Sequence, residues 1–499
     1  MISEIDPYAT LGVSPDATID EIKDAYRRAA RRLHPDSNRH NPGAVVQFQD
    51  ITAAYEILTK PERRRMLDDT LRARVDNSLG FTLRVTPSKR NLPLLSEAQV
   101  VYMLAEIHPD PRASASREEI KEQTHLNLTL VLDRSNSMNE GRLERVQYAA
   151  HKIIDQLSSN DVLSVVAFND HAEVIIPATT VSDKSTLKAR ISMLKAFGGT
   201  EIYRGMLAGV EQNRKYLAPR LVNHIILLTD GNTYGDQERC LTLAEKIAVE
   251  GISLSAMGLG EEWNDQFLDQ LASTTGGTSL YIRSSNMVVR FLNEHVRSLS
   301  NCLAERLQLS VAPDADIHLE SAFKLMPSPQ PLETSAGFIP LGSLQINRMT
   351  SVLLQLELPA NLSEGYRSIA RIVAVGDVLS GGHRRVQALS DVSLGISRNP
   401  PQEASPPEIL DALGRLTLYR MQERAQEALD QGNVQEATRR LQNLATRLLE
   451  MGEHELAQQA VEEIEQVAYT NNLSAVGRKT LKYQTRHLLL GSSTDNAPD

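Results

Sequence analysis

The chain has 499 residues, of which 41% are hydrophobic and 23% charged, as in ordinary globular proteins. At roughly 100 to 200 residues per domain, this length predicts roughly three or four folded units. The formal net charge of -10 argues against a general nucleic-acid-binding protein, and no apolar run approaches the roughly 20 residues that cross a bilayer. With two widely separated cysteines and no secretory-type start, we expect a soluble cytoplasmic protein without a nucleic-acid or membrane partner.

The first predicted unit, residues 5–72, is small and all-helical. Its apolar residues recur at helical spacing, and one helix is predicted from Ile19 to Leu33. Basic residues on this helix recur at steps of four positions, so one face is strongly cationic. Lys23, Arg27 and Arg31 are the residues at these steps, and Arg28 lies one position further round the helix. Stacked like charges destabilise a helix, which favours a binding function, although a merely solvated face is the alternative.

The tripeptide His34-Pro35-Asp36 follows this helix directly. Proline lacks an amide hydrogen and restricts the residue before it, so the helix should end here. We therefore expect the three side chains to lie on an exposed loop. The same tripeptide recurs at His108-Pro109-Asp110, after a strand-like run and without a basic helix, and we assign no function to that copy.

This N-terminal unit resembles the J domain of DnaJ-type co-chaperones through DPYATLGV, DEIKDAYRRAARRLHPD, FQDITAAYEIL and KPERRRMLD. The resemblance implies that the cationic face docks on a DnaK-type chaperone and that the His34-Pro35-Asp36 loop stimulates its ATP hydrolysis. The Gly/Phe-rich stretch and zinc repeats of some family members are absent, so client binding must come from elsewhere in the chain. A J-like fold without chaperone contact is the alternative.

The middle of the chain predicts an α/β domain inserted into a β-sandwich. Residues 125–300 alternate short apolar strands with amphipathic helices, which is typical of a parallel sheet covered on both faces. The predicted strands are Leu126–Leu132, Val162–Phe168, His224–Thr229, Ile252–Gly258 and Ser279–Ile282. Residues 301–398 predict the sandwich. The strands TLRV and QVVYMLAEI within 80–124 have no partners of their own, so we expect them to complete it.

The C-terminal region, residues 407–490, predicts helices with breaks at Gly432-Asn433 and Gly452. Two of its segments, RAQEALDQGNVQEATRRLQNLA and LLEMGEHELAQQAVEEIEQVA, resemble each other loosely. They indicate a helical-repeat surface, a helical bundle or a dimerisation element, and two units do not decide among these.

Polar side chains follow three segments of the predicted α/β domain. The run DRSNS comes directly after LNLTLVL, GGT opens another loop, and Asp230-Gly231 follows HIILLT. Open α/β sheets bind ligands at the carboxyl ends of their strands. The candidate ligands are Asp133, Ser135, Ser137, Thr200 and Asp230. All are oxygen donors, which favour Mg²⁺, Mn²⁺ or Ca²⁺ over zinc, although a DxSxS motif that only caps a helix is the alternative.

The α/β segment resembles a von Willebrand factor A domain, and the five residues resemble its metal-ion-dependent adhesion site. The resemblance implies that Ser135, Ser137 and Thr200 bind the metal directly. It also implies that Asp133 and Asp230 bind directly or through water. An Asp or Glu carboxylate of a protein partner would then complete the coordination of the cation.

The sequence therefore predicts a multidomain protein: an all-α J domain, a Rossmann-like von Willebrand factor A domain inserted in a β-sandwich, and a helical C-terminal region. The predicted function is a co-chaperone that brings a DnaK-type chaperone to a partner held at the metal site. The alternative is a metal-dependent scaffold whose J domain is only a tether. No nucleophile with a nearby base and no phosphate-binding glycine loop is found in the sequence, so we do not expect an enzyme.

Overall fold

The computed structural model describes residues 7–11, 13, 17–33, 42–65, 80–115, 124–139, 141–233, 235–284, 287–334, 337–379 and 384–488. These residues form an N-terminal helical unit, an α/β domain, a two-sheet β-sandwich and a C-terminal helical region. Within these ranges, none of the helices has the length and apolar character needed to cross a bilayer.

The N-terminal unit contains α1 (Pro7–Leu11), α2 (Ile19–Leu33) and α3 (Pro42–Leu58). Helix α2 begins at a capping box, in which the Thr18 amide donates to Glu21 Oε2 at 2.7 Å and the Glu21 amide donates to Thr18 Oγ1 at 3.3 Å. The rings of Tyr26 on α2 and Tyr55 on α3 stack with centroids 4.2 Å apart. This contact packs the two long helices against each other.

Three strands and a short helix follow: β1 (Phe81–Pro87), β2 (Asn91–Pro93), β3 (Gln99–Pro109) and α4 (Pro111–Ala115). Strands β1 and β3 form an antiparallel pair, with Val85 opposite Ala105. The remaining partners of β2 and β3 lie beyond the α/β domain in sequence.

The α/β domain runs from β4 to α10. Its elements are β4 (His125–Asp133), a 3₁₀ turn (Asn136–Met138), α5 (Arg142–Gln156), β5 (Val162–Phe168), β6 (Ala172–Thr180), α6 (Lys184–Ser192), α7 (Ile202–Arg214), β7 (Leu221–Thr229), α8 (Gln237–Glu250), β8 (Ser253–Leu259), α9 (Asp265–Thr275), β9 (Ser279–Ile282) and α10 (Val288–Ser300). The strand order is β6-β5-β4-β7-β8-β9, and only β6 runs antiparallel to its neighbour. Every strand that the sequence predicted here is present. Edge strand β6 was missed because Ile176 is the one buried residue in it, so its apolar residues show no regular alternation.

The sandwich is completed by β10 (Cys302–Pro313), β11 (His318–Met326), β12 (Gln330–Leu332), β13 (Ile339–Gln345), β14 (Thr350–Leu358), β15 (Gly365–Val378) and β16 (Arg384–Ser397). One sheet has the order β1-β3-β14-β11-β12 and the other β13-β10-β15-β16-β2. Strand β3 pairs with β14 along its length, for example Leu104 with Leu353, and β2 pairs with β16. The predicted insertion of the α/β domain into the sandwich is therefore confirmed.

The C-terminal region forms four helices: α11 (Pro407–Asp430), α12 (Val434–Glu450), α13 (His454–Thr470) and α14 (Ala475–Leu488). Both predicted breaks are present. A third break was not predicted; it follows Asn471, which ends α13 in the left-handed conformation with φ 59°. Helix α11 covers the outer face of a sandwich sheet, where Tyr419 packs 5.2 Å from Phe323, centroid to centroid. Helix α14 packs instead on the α/β domain.

Candidate functional site

The predicted metal-binding residues lie where β4 and β7 end. These strands are adjacent and parallel, with Leu132 opposite Leu228, so the residues that follow them meet at one edge of the sheet. The loop after β4 is joined to the Gly198–Thr200 loop by two backbone hydrogen bonds. The amide of Asn136 donates to the Gly198 carbonyl at 3.0 Å, and the amide of Phe197 donates to the Arg134 carbonyl at 2.8 Å.

Hydrogen bonds connect four of the five predicted ligands. The Ser135 amide donates to Asp133 Oδ1 at 2.8 Å, and the Ser135 and Ser137 hydroxyl oxygens are 3.0 Å apart. The Ser137 hydroxyl in turn donates to Asp230 Oδ1 at 2.6 Å. Thr200 lines the same cleft as the two serines. The structure therefore brings all five predicted residues together.

The carboxylate of Asp133 is fully buried beneath the loop. Its Oδ2 accepts a hydrogen bond of 2.6 Å from the hydroxyl of Thr229, the last residue of β7. Burial raises the pKa of Asp133 to about 6, because a charged carboxylate is poorly solvated there. Sequence reasoning missed Thr229, whose role depends on the register between β4 and β7.

The chemistry of this donor set fits a hard divalent cation. Two buried carboxylates, Asp133 and Asp230, lie beside the hydroxyls of Ser135, Ser137 and Thr200. Throughout the part of the chain that the structure describes, no group of three or more His, Cys, Asp and Glu side chains is arranged for a metal, so a zinc-type cluster is not found there. The helix-cap alternative is not favoured, since Ser135 makes no side-chain cap bond to the 3₁₀ turn.

Arg142, the first residue of α5, is a second contact that the sequence did not reveal. Its Nη1 lies 2.8 Å from Asp230 Oδ2 and 3.3 Å from the Ser137 carbonyl oxygen. A positive charge at a helix N-terminus is unfavourable because it opposes the helix dipole. The position of Arg142 at the start of a predicted helix is thus the one sequence signal that could have indicated its role.

A cleft of about 900 Å³ opens above the serine and threonine hydroxyls. One wall comes from the loop before α9 and another from the first turn of α14. Its charged lining residues are Glu261, Glu262, Arg478 and Lys479. Sequence reasoning missed all four. Glu261 and Glu262 lie in the loop before α9, whereas Arg478 and Lys479 reach the cleft only through the packing of the C-terminal region on the α/β domain.

The cationic face of α2 is accessible to solvent. Arg27, Arg28 and Arg31 are exposed and Lys23 is half-buried. Lys23 lies 3.6 Å from Asp20, while Arg27 lies 3.2 Å from Asp24.

The two His-Pro-Asp copies differ in what surrounds them. The predicted functional copy, His34-Pro35-Asp36, lies outside the described residues. In the second copy, His108 pairs with Thr82 in the sandwich, and the Asp110 carboxylate accepts a 2.7 Å hydrogen bond from Arg112. Its residues are thus engaged within the sandwich.

Comparisons with known proteins agree with this architecture. Family models match residues 6–68 (DnaJ domain), 127–294 (von Willebrand factor type A domain) and 407–491 (Sll0103-like, C-terminal alpha-helical domain). The protein named Uncharacterized protein sll0103, from Synechocystis sp., is 30% identical over 344 residues, which are 66% of this chain and 80% of that protein. The chain belongs to the Sll0103-like family.

The J domain of this Sll0103-like chain matches only part of the chaperones that carry one. Chaperone protein DnaJ 1 of Synechocystis sp. is 56% identical over 63 residues, which are 13% of this chain and 16% of that chaperone. The solved structure titled von Willebrand factor type A from Catenulispora acidiphila covers 82% of this chain and 97% of its own, with 15% identity and a TM-score of 0.66. This likeness shows a shared fold. The chain therefore combines a J domain with a von Willebrand factor A fold.

Proposed function

We propose that this protein is a cytoplasmic co-chaperone that stimulates the ATPase of a DnaK-type chaperone and directs it to a protein partner. The partner binds at a divalent cation held by the α/β domain, and the role is recognition rather than catalysis. The observation that carries the proposal is that one chain contains both a J domain with an accessible cationic face and a buried oxygen-donor site that opens into a cleft.

The metal-binding half of the proposal depends on oxygen chemistry. Ser135, Ser137 and Thr200 would contact Mg²⁺, Mn²⁺ or Ca²⁺ directly, and Asp133 and Asp230 would supply the negative charge directly or through water. These protein groups leave the coordination of such a cation incomplete, so an acidic side chain of the partner can complete it.

The chaperone-binding half depends on how weakly the cationic face is paired within the chain. The ion pairs of Lys23 with Asp20 and of Arg27 with Asp24 are local and solvent-exposed. Pairs of this kind contribute about 0 to 1 kcal/mol, so they can be exchanged for carboxylates on a chaperone's surface. His34, Pro35 and Asp36 would then deliver the stimulation, and Arg28 and Arg31 would extend the docking surface.

The chaperone-binding half is tested with purified full-length protein and a DnaK-type chaperone. We expect the wild type to accelerate steady-state ATP hydrolysis and His34→Gln to lose that acceleration. The chain supplies a matched control, because His108→Gln alters the second His-Pro-Asp copy and should stimulate like the wild type. Stimulation by His34→Gln at the wild-type level would refute this half of the proposal.

The metal-binding half is tested by affinity capture from cell extract, with and without a chelator. Partners held at the cation should be lost both in chelator and with Asp133→Ala, while His34→Gln should retain them. The scaffold alternative predicts that His34→Gln also has no effect on function in cells. Capture that neither the chelator nor Asp133→Ala reduces would exclude partner binding through the cation.

A further inference from the structure

The C-terminal helical region forms part of the cleft above the cation-binding residues. Ala475, Arg478 and Lys479, in the first turn and a half of α14, line the same cleft as Ser137 and Thr200. A ligand that enters this cleft to reach the metal therefore also meets the C-terminal helix.

Lys479 is a buried cation without a carboxylate partner. Lys479 is only 1% exposed. Its Nζ donates a hydrogen bond to the Glu261 carbonyl and lies 4.6 Å from the centre of the Trp263 ring. Within the described part of the chain, no carboxylate lies within ion-pairing distance of this ammonium group. The carboxylates of Asp265 and Glu261 attract this ammonium group only from beyond ion-pairing distance, and burial still lowers the pKa of Lys479 to about 8. An anion that enters the cleft beside Lys479 would therefore stabilise its charge.

Arg478, the neighbouring residue, has hydrogen-bonding capacity to spare. Its Nη2 donates to Asp265 Oδ1 at 2.8 Å, and its side chain is 32% exposed. A guanidinium group carries five N–H donors, of which Asp265 uses only one in this structure. The remaining donors can form charge-assisted hydrogen bonds with a carboxylate in the cleft.

Two acidic side chains, Glu261 and Glu262, also line the cleft, but both residues are exposed. Water and salt screen exposed charges strongly and buried charges much less. The positive charge of Lys479 therefore has the greater effect on a ligand inside the cleft. A divalent cation bound below would add further positive charge.

We infer that the cleft binds a peptide segment with two acidic side chains, one placed at the divalent cation and the other at Lys479 and Arg478. This inference rests on the proposed function, because the first acidic group requires the cation. It makes the C-terminal helical region a determinant of partner specificity. The volume of about 900 Å³ is enough for several residues of an extended peptide.

The test uses fluorescein-labelled synthetic peptides and the full-length protein in Mg²⁺. One peptide carries a single Asp in a Gly/Ser background, and the others carry a second Asp or Glu at increasing spacing. We expect the best diacidic peptide to bind about tenfold more tightly than the monoacidic one in fluorescence anisotropy, which corresponds to about 1.4 kcal/mol.

Variants of α14 test whether this helix causes the preference for the diacidic peptide. Lys479→Gln and Arg478→Gln should each reduce the advantage of the second acidic residue and leave the affinity for the monoacidic peptide unchanged. Arg447→Gln is the matched control, since Arg447 lies in the same C-terminal helical region, forms only a solvent-exposed ion pair with Glu450, and does not line the cleft. If Lys479→Gln does not fold, the half-exposed Arg478→Gln still provides the test.

The outcomes separate this inference from the proposed function. Peptide binding that persists in chelator and with Asp133→Ala, or no binding of any peptide in Mg²⁺, overturns both. Metal-dependent binding in which the second acidic residue adds nothing overturns only the inference. The same conclusion follows if both glutamine variants keep the full diacidic preference.

Discussion

The guanidinium group of Arg142 is paired with the carboxylate of Asp230, with Nη1 and Oδ2 2.8 Å apart. The other oxygen of Asp230 accepts the hydrogen bond from the Ser137 hydroxyl. The positive charge of Arg142 thus contacts Asp230, a predicted metal ligand whose side chain is completely buried. Arg142 and a divalent ion must share or compete for this carboxylate.

We predict that Arg142→Gln tightens the binding of Mg²⁺ and Mn²⁺ by about tenfold, a change of about 1.4 kcal/mol. The substitution removes a positive charge that repels the ion and occupies one carboxylate oxygen. Isothermal titration calorimetry measures the effect. Arg145→Gln, on the exposed side of the same helix, is the control and should change little. Weaker metal binding by Arg142→Gln would instead mean that Arg142 positions Asp230 for the ion.

Asp133→Asn should raise stability in the absence of metal and abolish stabilisation by metal. Because burial raises the pKa of Asp133 to about 6, its contribution to stability is present when it is protonated at low pH and is lost as the pH rises through 6. At pH 7.5 in chelator the variant should therefore gain on the order of 2 kcal/mol.

Thermal unfolding with and without Mg²⁺ measures both effects of Asp133→Asn. The wild type should gain stability from the ion, and the variant should not. Asp155→Asn is the control, since Asp155 forms an exposed ion pair with Lys188 and its loss should matter little. A variant that Mg²⁺ still stabilises would show that Asp133 is not needed for metal binding.

The sequence predicted the residues of the site whose positions follow from strand ends. Asp133 and Asp230 lie directly after apolar runs, and parallel strands bring such residues to one edge of a sheet. The serines follow in the same loop, so a short motif was sufficient. The same logic predicted the sandwich, because strands without local partners must pair elsewhere.

The sequence did not predict contacts that depend on the packing of distant elements. Lys479 reaches the cleft only because α14 docks on α9, and no local pattern in the helical region specifies that partner. Edge strand β6 and the left-handed Asn471 were missed for another reason. Exposed edges and single-residue helix ends leave only weak apolar periodicity in the sequence.

Two neighbouring histidines, of which His224 is buried and His295 is partly buried, give the α/β domain an acid-sensitive contact. The Nε2 atoms of His224 on β7 and His295 on α10 are 3.2 Å apart, and His224 also contacts the Ser255 hydroxyl at 3.0 Å. Burial lowers the pKa of His295 to about 4 and that of His224 well below 6.5. Both rings are therefore neutral in the folded protein and must gain protons on unfolding in acid.

We predict that this pair lowers stability as the pH falls from 6.5 towards 4, because the unfolded chain binds more protons in that range. His295→Phe should reduce the loss between pH 7 and pH 5 by about 2 kcal/mol, since one titrating ring is removed while His224 keeps its contact with Ser255. Denaturant unfolding at pH 7 and pH 5 measures the difference. His454→Phe, at an exposed position, should behave like the wild type, and equal acid sensitivity in both variants would contradict the prediction.

The docking of α14 on α9 depends on the carboxylate of Asp269. This carboxylate lies 2.8 Å from Lys482 Nζ and 2.5 Å from Arg486 Nη2, and both basic residues are buried. Removing one partner of a buried ion pair leaves an uncompensated charge, which costs about 3 to 5 kcal/mol.

Asp269→Ala should therefore destabilise the protein by an amount in that range, release α14 from the α/β domain, and increase protease cleavage in the linker at residues 398–406. Loss of the docked helix should also remove the diacidic peptide preference, while binding of the monoacidic peptide in Mg²⁺ remains. Glu436→Ala is the matched control, because Glu436 pairs with Arg439 and Arg440 at the surface and its removal should change stability little. If Asp269→Ala has the same stability and the same protease resistance as the wild type, apolar contacts rather than this ion cluster hold α14 beside the cleft.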